Sequence, residues 1–160
     1  MAKVPKVPRK YTSGLSESTA AKRKAEIRKR IKGKVSYEPL AGDSKAKTKP
    51  SKYTKKAKGI REQIKEAAAK SAGKTARDKF LNAASRVTDI PKRILKAVYN
   101  KGLAAWATGG HRPGASQEAW AKARLYSFLT GGKTTEKADA ALFAEAKKIL
   151  KEKNSSFRFR

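Results

Sequence analysis

Apolar residues in the second half of the chain recur at helical spacing, in four segments that the sequence predicts to be helices. The four predicted segments are residues 76–86, 90–102, 117–130 and 135–152. Large apolar residues in each segment stand three or four positions apart, which places them on one face of a helix. Thr75 with Asp78 forms a capping box before the first segment, and Ser116 is an N-cap for the third. Four short helices with apolar faces predict a compact helical module over residues 74–153.

The first half of the chain has far fewer apolar positions. Two helices are predicted there, near residues 17–32 and 55–71, and each carries a single large apolar pair four positions apart, such as Ile27 with Ile31. So narrow an apolar face favours packing against a partner over forming a core. Residues 33–52, rich in Gly, Pro, Ser and Lys, are predicted to be a linker.

An estimate of burial leads to the same view of the first half. Residues 1–73 contain 13 large apolar residues. Burying one such side chain stabilises a fold by roughly 1.5–3 kcal/mol, whereas ordering each backbone residue costs about 1–2 kcal/mol. Because burial cannot offset ordering over this segment, residues 1–73 are predicted to be an extended basic arm that becomes ordered on a partner.

The predicted fold class is all-α, with essentially no sheet, because no segment sustains period-two alternation. The C-terminal tail, residues 154–160, alternates over four positions only. Its Phe157 and Phe159 are expected to dock inward as an extended strand on a neighbouring molecule, with Arg158 and Arg160 outward. A frayed terminus is the alternative.

The chain carries a large positive net charge. The chain has 41 Lys and Arg against 13 Asp and Glu, a formal charge of +28, while Leu, Ile, Val and Phe make up only 26 of 160 residues. That apolar share, about 16%, lies below the roughly 20% under which a highly charged chain is expected to be disordered. A compact state would repel itself unless an anionic partner were near, so the composition disfavours a free enzyme.

The sequence offers few residues for catalysis or metal binding. The chain has no Cys, one His and one Met, which excludes thiolate nucleophiles, disulfides and Cys-based zinc sites. We expect no metal, no cofactor and no small-molecule substrate. Without an apolar run of about 18 residues or a signal-like N-terminus, the sequence predicts a soluble protein made inside a cell.

Basic residues of the first half are the candidates for contact with phosphates or another anionic partner. Asn is scarce and no basic helix presents a set of side chains suited to base edges, so any nucleic-acid binding is expected to be nonspecific. The candidate residues are Lys3, Lys6, Arg9, Lys10, Lys22, Arg23, Arg28, Arg30, Lys52, Lys55, Lys56 and Arg61.

The segment 106–116 has the most distinctive composition in the chain: it contains three glycines, a proline and the histidine, and Trp106 and Trp120 bracket it. His111 as a catalytic base would need a nucleophile and an orienting carboxylate, and Ser116 and Glu118 are better explained as a cap and a first-turn acid. A helix-turn-helix is excluded because the connection is about fourteen residues long. Neither glycine pair has phosphate-loop spacing. The residues predicted to dock a partner or build this loop and its surroundings are Tyr11, Tyr53, Trp106, His111, Arg112, Pro113, Trp120, Arg124, Phe157 and Phe159.

Several motifs in order resemble a known family. They include Val98-Tyr99-Asn100-Lys101-Gly102, Gly110-His111-Arg112-Pro113-Gly114 and Ser127-Phe128-Leu129-Thr130-Gly131-Gly132-Lys133 within residues about 86–133, and Pro8-Arg9-Lys10-Tyr11-Thr12-Ser13-Gly14-Leu15-Ser16 near the start. In these motifs the chain resembles a family of small basic proteins of large DNA viruses of algae and amoebae. The resemblance implies a virion-associated protein without enzymatic activity.

The function expected from charge and resemblance together is that of a non-enzymatic minor capsid or cement protein in the virion. It would bridge major capsid proteins on the inner face of the shell and contact other minor capsid proteins, with viral DNA or internal membrane lipid as further partners of its surplus charge. One alternative is a nucleoid protein that condenses DNA without sequence preference. A weaker alternative is a ribosomal-type protein that binds rRNA.

Overall fold

The computed structural model describes residues 6–44, 52–109 and 111–159. Over these ranges the chain is helical and contains no β-strand, so the predicted all-α class is confirmed. None of the helices in the same ranges is long and apolar enough to cross a membrane. The α-helices are α1 (Glu17–Ile31), α2 (Lys52–Lys56), α3 (Lys58–Lys70), α4 (Ala76–Thr88), α5 (Lys92–Thr108), α6 (Gln117–Leu129) and α7 (Ala140–Glu152), with short 3-10 helices at Arg9–Tyr11 and Lys133–Glu136.

Three helices begin at side-chain caps, and two of these, Thr75 and Ser116, are caps that the sequence predicts. The Ser16 hydroxyl accepts a hydrogen bond from the Thr19 amide at 3.3 Å, and the Thr75 hydroxyl accepts one from the Asp78 amide at 3.1 Å. The Ser116 hydroxyl does the same for an amide in the first turn of α6. Each cap satisfies an N–H group that has no partner within its own helix.

One predicted helix is divided in the structure, and another begins later than the sequence predicts. The expected helix at 55–71 is divided into α2 and α3 at Ala57, whose side chain is buried. The expected helix at 135–152 begins only at residue 140, because residues 133–136 form a 3-10 turn. Asp139, the residue before α7, is buried, and its carboxylate accepts hydrogen bonds from Arg124 at 3.0 and 3.2 Å.

Helix α5 continues six residues beyond Gly102, where the sequence predicted its end. A Cβ atom at Gly102 would lie 2.7 Å from the Cα atom of Ala121 on α6. Real side chains do not approach backbone that closely, so this glycine permits the contact between α5 and α6. Its role is to allow close helix packing.

Contacts divide the described chain into two compact units. The first unit lies within Met1–Lys49 and Lys101–Ala121, and the second within Pro50–Asn100 and Lys122–Arg160. The first unit contains α1, the segment that follows it, the end of α5 and the loop before α6. Its buried apolar residues include Ile27, Leu40, Trp106 and Ala115.

The second unit contains α2, α3, α4 and α7 with the remaining parts of α5 and α6. Helices α3 and α4 lie against each other. The apolar core of the unit comes from faces that the sequence predicted, and its largest fully buried members are Ile64, Leu81, Ile90, Ile94, Leu95, Tyr99, Leu125, Phe128 and Leu129.

This division differs from the predicted arm over 1–73 and module over 74–153. Residues of the first half are ordered by contacts with later parts of the same chain: the Ser36 amide donates to the Ala107 carbonyl at 3.1 Å, and Tyr11 packs edge-on against Trp120 at 5.9 Å. The estimate of burial treated residues 1–73 as isolated, and therefore missed the apolar and polar surface supplied from a hundred positions away.

The C-terminal tail also packs within its own chain. The Phe159 ring lies 4.6 Å from the Phe143 ring and 5.9 Å from the Phe128 ring, and Phe157 packs against Phe159. The Ser155 hydroxyl donates to the Asp89 carboxylate at 2.8 Å. The tail is thus part of the second unit. Phe157 and Phe159, which were predicted to dock on a neighbouring molecule, pack within their own chain instead.

Candidate functional site

The first unit holds a buried arginine–aspartate–histidine cluster, formed by Arg23, Asp43 and His111. Arg23 projects from the middle of α1 and is fully buried. Its guanidinium donates to the Asp43 carboxylate at 2.7 Å and to the carbonyls of Tyr11, Ala41 and His111 at 2.7, 2.9 and 2.8 Å. Because a buried charge is costly unless it is paired and hydrogen-bonded, these four contacts are what allow an arginine to occupy this place.

Asp43 accepts four hydrogen bonds, two on each carboxylate oxygen. Oδ1 accepts from Arg23 and from the Gly114 amide at 3.0 Å. Oδ2 accepts from His111 Nε2 at 2.7 Å and from the Leu40 amide at 2.8 Å. Burial alone would raise the pKa of Asp43, but these hydrogen bonds favour the ionised form more strongly and lower the pKa to about 2.

His111 is fully buried between aromatic neighbours. Its ring stacks on Trp106, with centroids 4.4 Å apart and planes 9° apart, and lies edge-on to Trp120. Burial lowers the pKa of His111, although Asp43 acts in the opposite direction. The neutral ring then donates Nε2–H to Asp43, which leaves Nδ1 as an acceptor. No donor within the described part of the chain reaches Nδ1.

Arg30, about two helical turns beyond Arg23, forms a second buried contact. It donates to the Trp106 carbonyl at 3.2 Å and to the Glu38 carbonyl, and its guanidinium lies 5.1 Å from the centre of the Trp106 ring. The Trp106 indole N–H donates to the Ala115 carbonyl at 2.9 Å. Trp106 therefore joins α1, α5 and the loop before α6 in one packed arrangement.

The chemistry of this cluster is structural. An aspartate that orients a histidine is half of a catalytic triad, but a triad also needs a nucleophile at the other imidazole nitrogen and access for substrate. The side chains of Arg23 and His111 are fully buried, and the charge of Asp43 is used by four internal donors. The Ser116 hydroxyl caps α6. We therefore assign the cluster to holding the first unit together.

Most of the cations expected to meet an anionic partner lie at the surface, and two do not. Arg23 and Arg30 are buried at 0% and 5% exposure, so their assignment to phosphate contact is wrong: their donors are occupied inside the chain. Lys3 lies outside the described residues. The expected cations that are exposed or half-exposed are Lys6, Arg9, Lys10, Lys22, Arg28, Lys52, Lys55, Lys56 and Arg61.

The predicted docking residues separate into different environments. Trp106, His111 and Pro113 are buried, while Arg112 and Trp120 are half-buried in the same unit. Tyr53 and Arg124 lie in the second unit: the Tyr53 ring fills the space beside Gly132, where a Cβ atom would lie 2.8 Å from it, and Arg124 is paired with Asp139. Tyr11 and Tyr53 each lie between a Lys and a Thr in the sequence, but they have different surroundings in the structure.

Sequence reasoning missed the centre of the cluster. Asp43 was placed in a linker, and nothing in the sequence indicated that the backbone amides of Leu40 and Gly114 would donate hydrogen bonds to it. The available hint was a lone acidic residue within a Lys-rich stretch, since residues 39–56 contain one carboxylate and six lysines. Nothing local indicated that its partners would lie about 70 positions away.

The second unit has a cationic groove of about 610 Å³. Its basic residues come from α2, α3 and α6, and its floor includes Phe80 and Tyr126. The Arg61 guanidinium lies 5.6 Å from the centre of the Tyr126 ring, and the Lys122 ammonium lies 4.9 Å from the centre of the Phe80 ring. Burial raises the pKa of Tyr126, with Arg61 acting against it. No cluster of His, Asp or Glu suited to a metal ion occurs among the described residues.

These features define a small, strongly basic, all-helical protein with an internally paired charge cluster. The chain belongs to a protein family of unknown function, DUF5824, which it matches over residues 8–151. No curated protein matches the chain. No solved structure matches it either.

Proposed function

We propose that the protein is a non-enzymatic structural component of a virus particle, a minor capsid or cement protein that bridges major capsid proteins on the inner face of the shell. The observation that carries the proposal is the distribution of charge. The buried ions are paired within the chain, whereas the surface cations far outnumber the carboxylates, and the whole chain has a formal charge of +28. A surface whose charges are mostly positive favours binding to an anionic partner over remaining unbound in solution.

The setting in a virus particle is supported by the resemblance of residues about 86–133 to small basic proteins of large DNA viruses. The folded chain suggests how contact would be made. Since residues 6–44 pack within the first unit, the protein would bind through exposed faces of a folded chain, such as the face of α1 that carries Lys22 and Lys29, instead of through a threading arm. Acidic faces of capsid proteins are the partners that these cations fit.

The non-enzymatic part of the proposal rests on the arginine–aspartate–histidine cluster. Its polar groups are turned toward one another and toward backbone carbonyls, and the ring of His111 is enclosed by Trp106 and Trp120. A group that reacts must reach its substrate, which this imidazole does not.

A reconstruction of the source particle tests the proposal. We expect ordered density for the helices of both units, touching coat protein over much of its area. Cross-linking of intact particles with an amine-reactive reagent should join surface lysines such as Lys22 and Lys29 to coat protein. Density that lacks the chain in the ordered shell, together with cross-links to core proteins alone, would contradict the assignment.

A second candidate function is nonspecific condensation of DNA within the particle. The cationic groove favours it, because five basic side chains there face one carboxylate. Duplex DNA binding with a steep salt dependence and no effect of base sequence would support this candidate. Binding that is weak at low salt would exclude it.

A further inference from the structure

The cationic groove of the second unit has the features of a binding site. Its cations are Lys55 from α2, Lys58, Arg61 and Lys65 from α3, and Lys122 from α6. Glu62 is the one carboxylate that lines it. Within the described part of the chain, none of the four lysines is within ion-pair distance of a carboxylate. The groove therefore keeps almost all of its positive charge for a ligand.

Aromatic rings hold two of these cations in place. Lys122 lies over Phe80, and Arg61 lies over Tyr126. A cation held by a ring keeps its full charge and most of its N–H donors, whereas one held by a carboxylate is neutralised. The arrangement thus fixes positive charge at the wall of the groove without cancelling it.

The spacing along α3 indicates the shape of the ligand. Lys58, Arg61 and Lys65 stand at i, i+3 and i+7, so they share one face of the helix over about 10 Å. A row of this kind matches a polymer that carries a negative charge at regular intervals. The groove floor is largely apolar, with Ile64 and Phe80 among its residues, and suits a strand that also offers flat or apolar groups.

We propose that this groove binds a single strand of nucleic acid, with its phosphates along α3 and its sugars or bases toward the floor. Single strands are bound in this way by grooves that combine a cationic track with apolar or aromatic surface. A duplex offers mainly phosphates to such a groove, since its bases are stacked inside. An acidic peptide is less well matched because its carboxylates would meet the cations but it would bring no flat bases to the apolar floor. The inference does not depend on the assignment to a virus particle.

The test measures binding of the full-length chain to a labelled twelve-nucleotide thymidine strand by fluorescence anisotropy, between 50 and 200 mM salt. Lys58→Gln with Lys65→Gln removes two exposed groove cations. The matched control, Lys96→Gln with Lys148→Gln, removes two exposed cations of the same unit that do not line the groove. We expect the groove variant to weaken binding at least tenfold and to make the slope of log K against log salt shallower by about 1.4, from about 0.7 per lost phosphate contact. The control should change affinity less than threefold.

Three results would overturn the proposal. Equal losses in the groove and control variants would indicate that net charge alone determines binding. Equal affinity for a twelve-base-pair duplex, with the same dependence on Lys58 and Lys65, would make the ligand a duplex. Tighter binding to a poly-glutamate peptide than to the strand would indicate an acidic protein. Circular dichroism checks that both variants keep their helices, and coat-protein contact in the particle is measured separately, so either proposal can fail alone.

Discussion

The carboxylate of Asp43 accepts a hydrogen bond from His111 Nε2 at 2.7 Å, across 68 positions of sequence. The same carboxylate binds Arg23 of α1 at 2.7 Å. One short side chain thus joins the first helix, the segment after it and the loop before α6. The single histidine of the chain has its role here, in a structural cluster of the first unit.

Removing the negative charge at this position should destabilise the first unit strongly. Asp43→Asn leaves the Arg23 guanidinium buried without a counterion, and the new amide N–H₂ group must face a donor on one side. Breaking one partner of a buried ion pair typically costs about 3–5 kcal/mol. At roughly 2–4 °C per kcal/mol for a chain of this size, thermal unfolding followed by circular dichroism should shift down by about 10 °C or more.

The matched control is Glu145→Gln. Glu145 pairs with Arg93 at the surface, where both side chains are well exposed. The thermal midpoint of the Glu145→Gln variant should therefore hardly change. Similar midpoints for Asp43→Asn and the unmodified chain would contradict the structural role of the cluster.

The cluster also predicts how stability depends on pH. The pKa of His111 is lowered from 6.5 by burial, so below about pH 6.5 the unfolded chain binds a proton that the folded chain does not, and stability falls as pH falls. Asp43 has a pKa of about 2 when folded against an ordinary 3.8. The contribution of Asp43 to the free energy of unfolding is complete above about pH 4 and is lost as pH decreases toward 2.

Urea unfolding at pH values from 7 to 3 measures both steps. His111→Gln should remove the decrease between pH 7 and 5 and keep the later one, because Asp43 remains. The comparison is between slopes, so carboxylates elsewhere cancel. An unchanged slope between pH 7 and 5 in the variant would contradict this, because it would mean that folding does not shift the pKa of His111.

The helix contact at Gly102 gives a prediction about packing. In Gly102→Ala the new Cβ atom must push the α6 backbone away from its 2.7 Å position at Ala121, and overpacking of this kind costs about 1–3 kcal/mol. Gly59→Ala in α3 is the control, since its Cβ atom would meet nothing within 4 Å. Alanine there should be neutral or stabilising by up to about 1 kcal/mol. Denaturant midpoints of the two variants should move in opposite directions, and a shared direction would place the α5–α6 contact elsewhere.

Local signals were enough to predict the helices, and nothing local could predict the cluster. Ser16 and Thr75 stand directly before the helices that they cap, so a few neighbouring residues determine α1 and α4. Asp43 has its partners 20, 68 and 71 positions away, and Arg23 is one of many cations on a basic helix. Tertiary contacts determine which of these cations is buried, and a pattern of charged and apolar positions does not predict those contacts. For the same reason, the sequence predicted residues 1–73 to be an extended arm.

The two tryptophans should differ in their contribution to stability. Trp106 is 4% exposed and contacts Arg30, His111 and the Ala115 carbonyl. Trp106→Ala should therefore cost about 3–5 kcal/mol. Trp120, which the sequence predicts to dock a partner or to build the loop and its surroundings, is half-exposed, with edge contacts to Tyr11 and His111. Because less of its surface is removed from water, Trp120→Ala should cost about 1–2 kcal/mol by area burial. Thermal midpoints of both variants, each compared with Trp→Phe at the same position, rank the two sites; a larger loss at Trp120 would reverse the assignment of Trp106 as the central aromatic residue of the first unit.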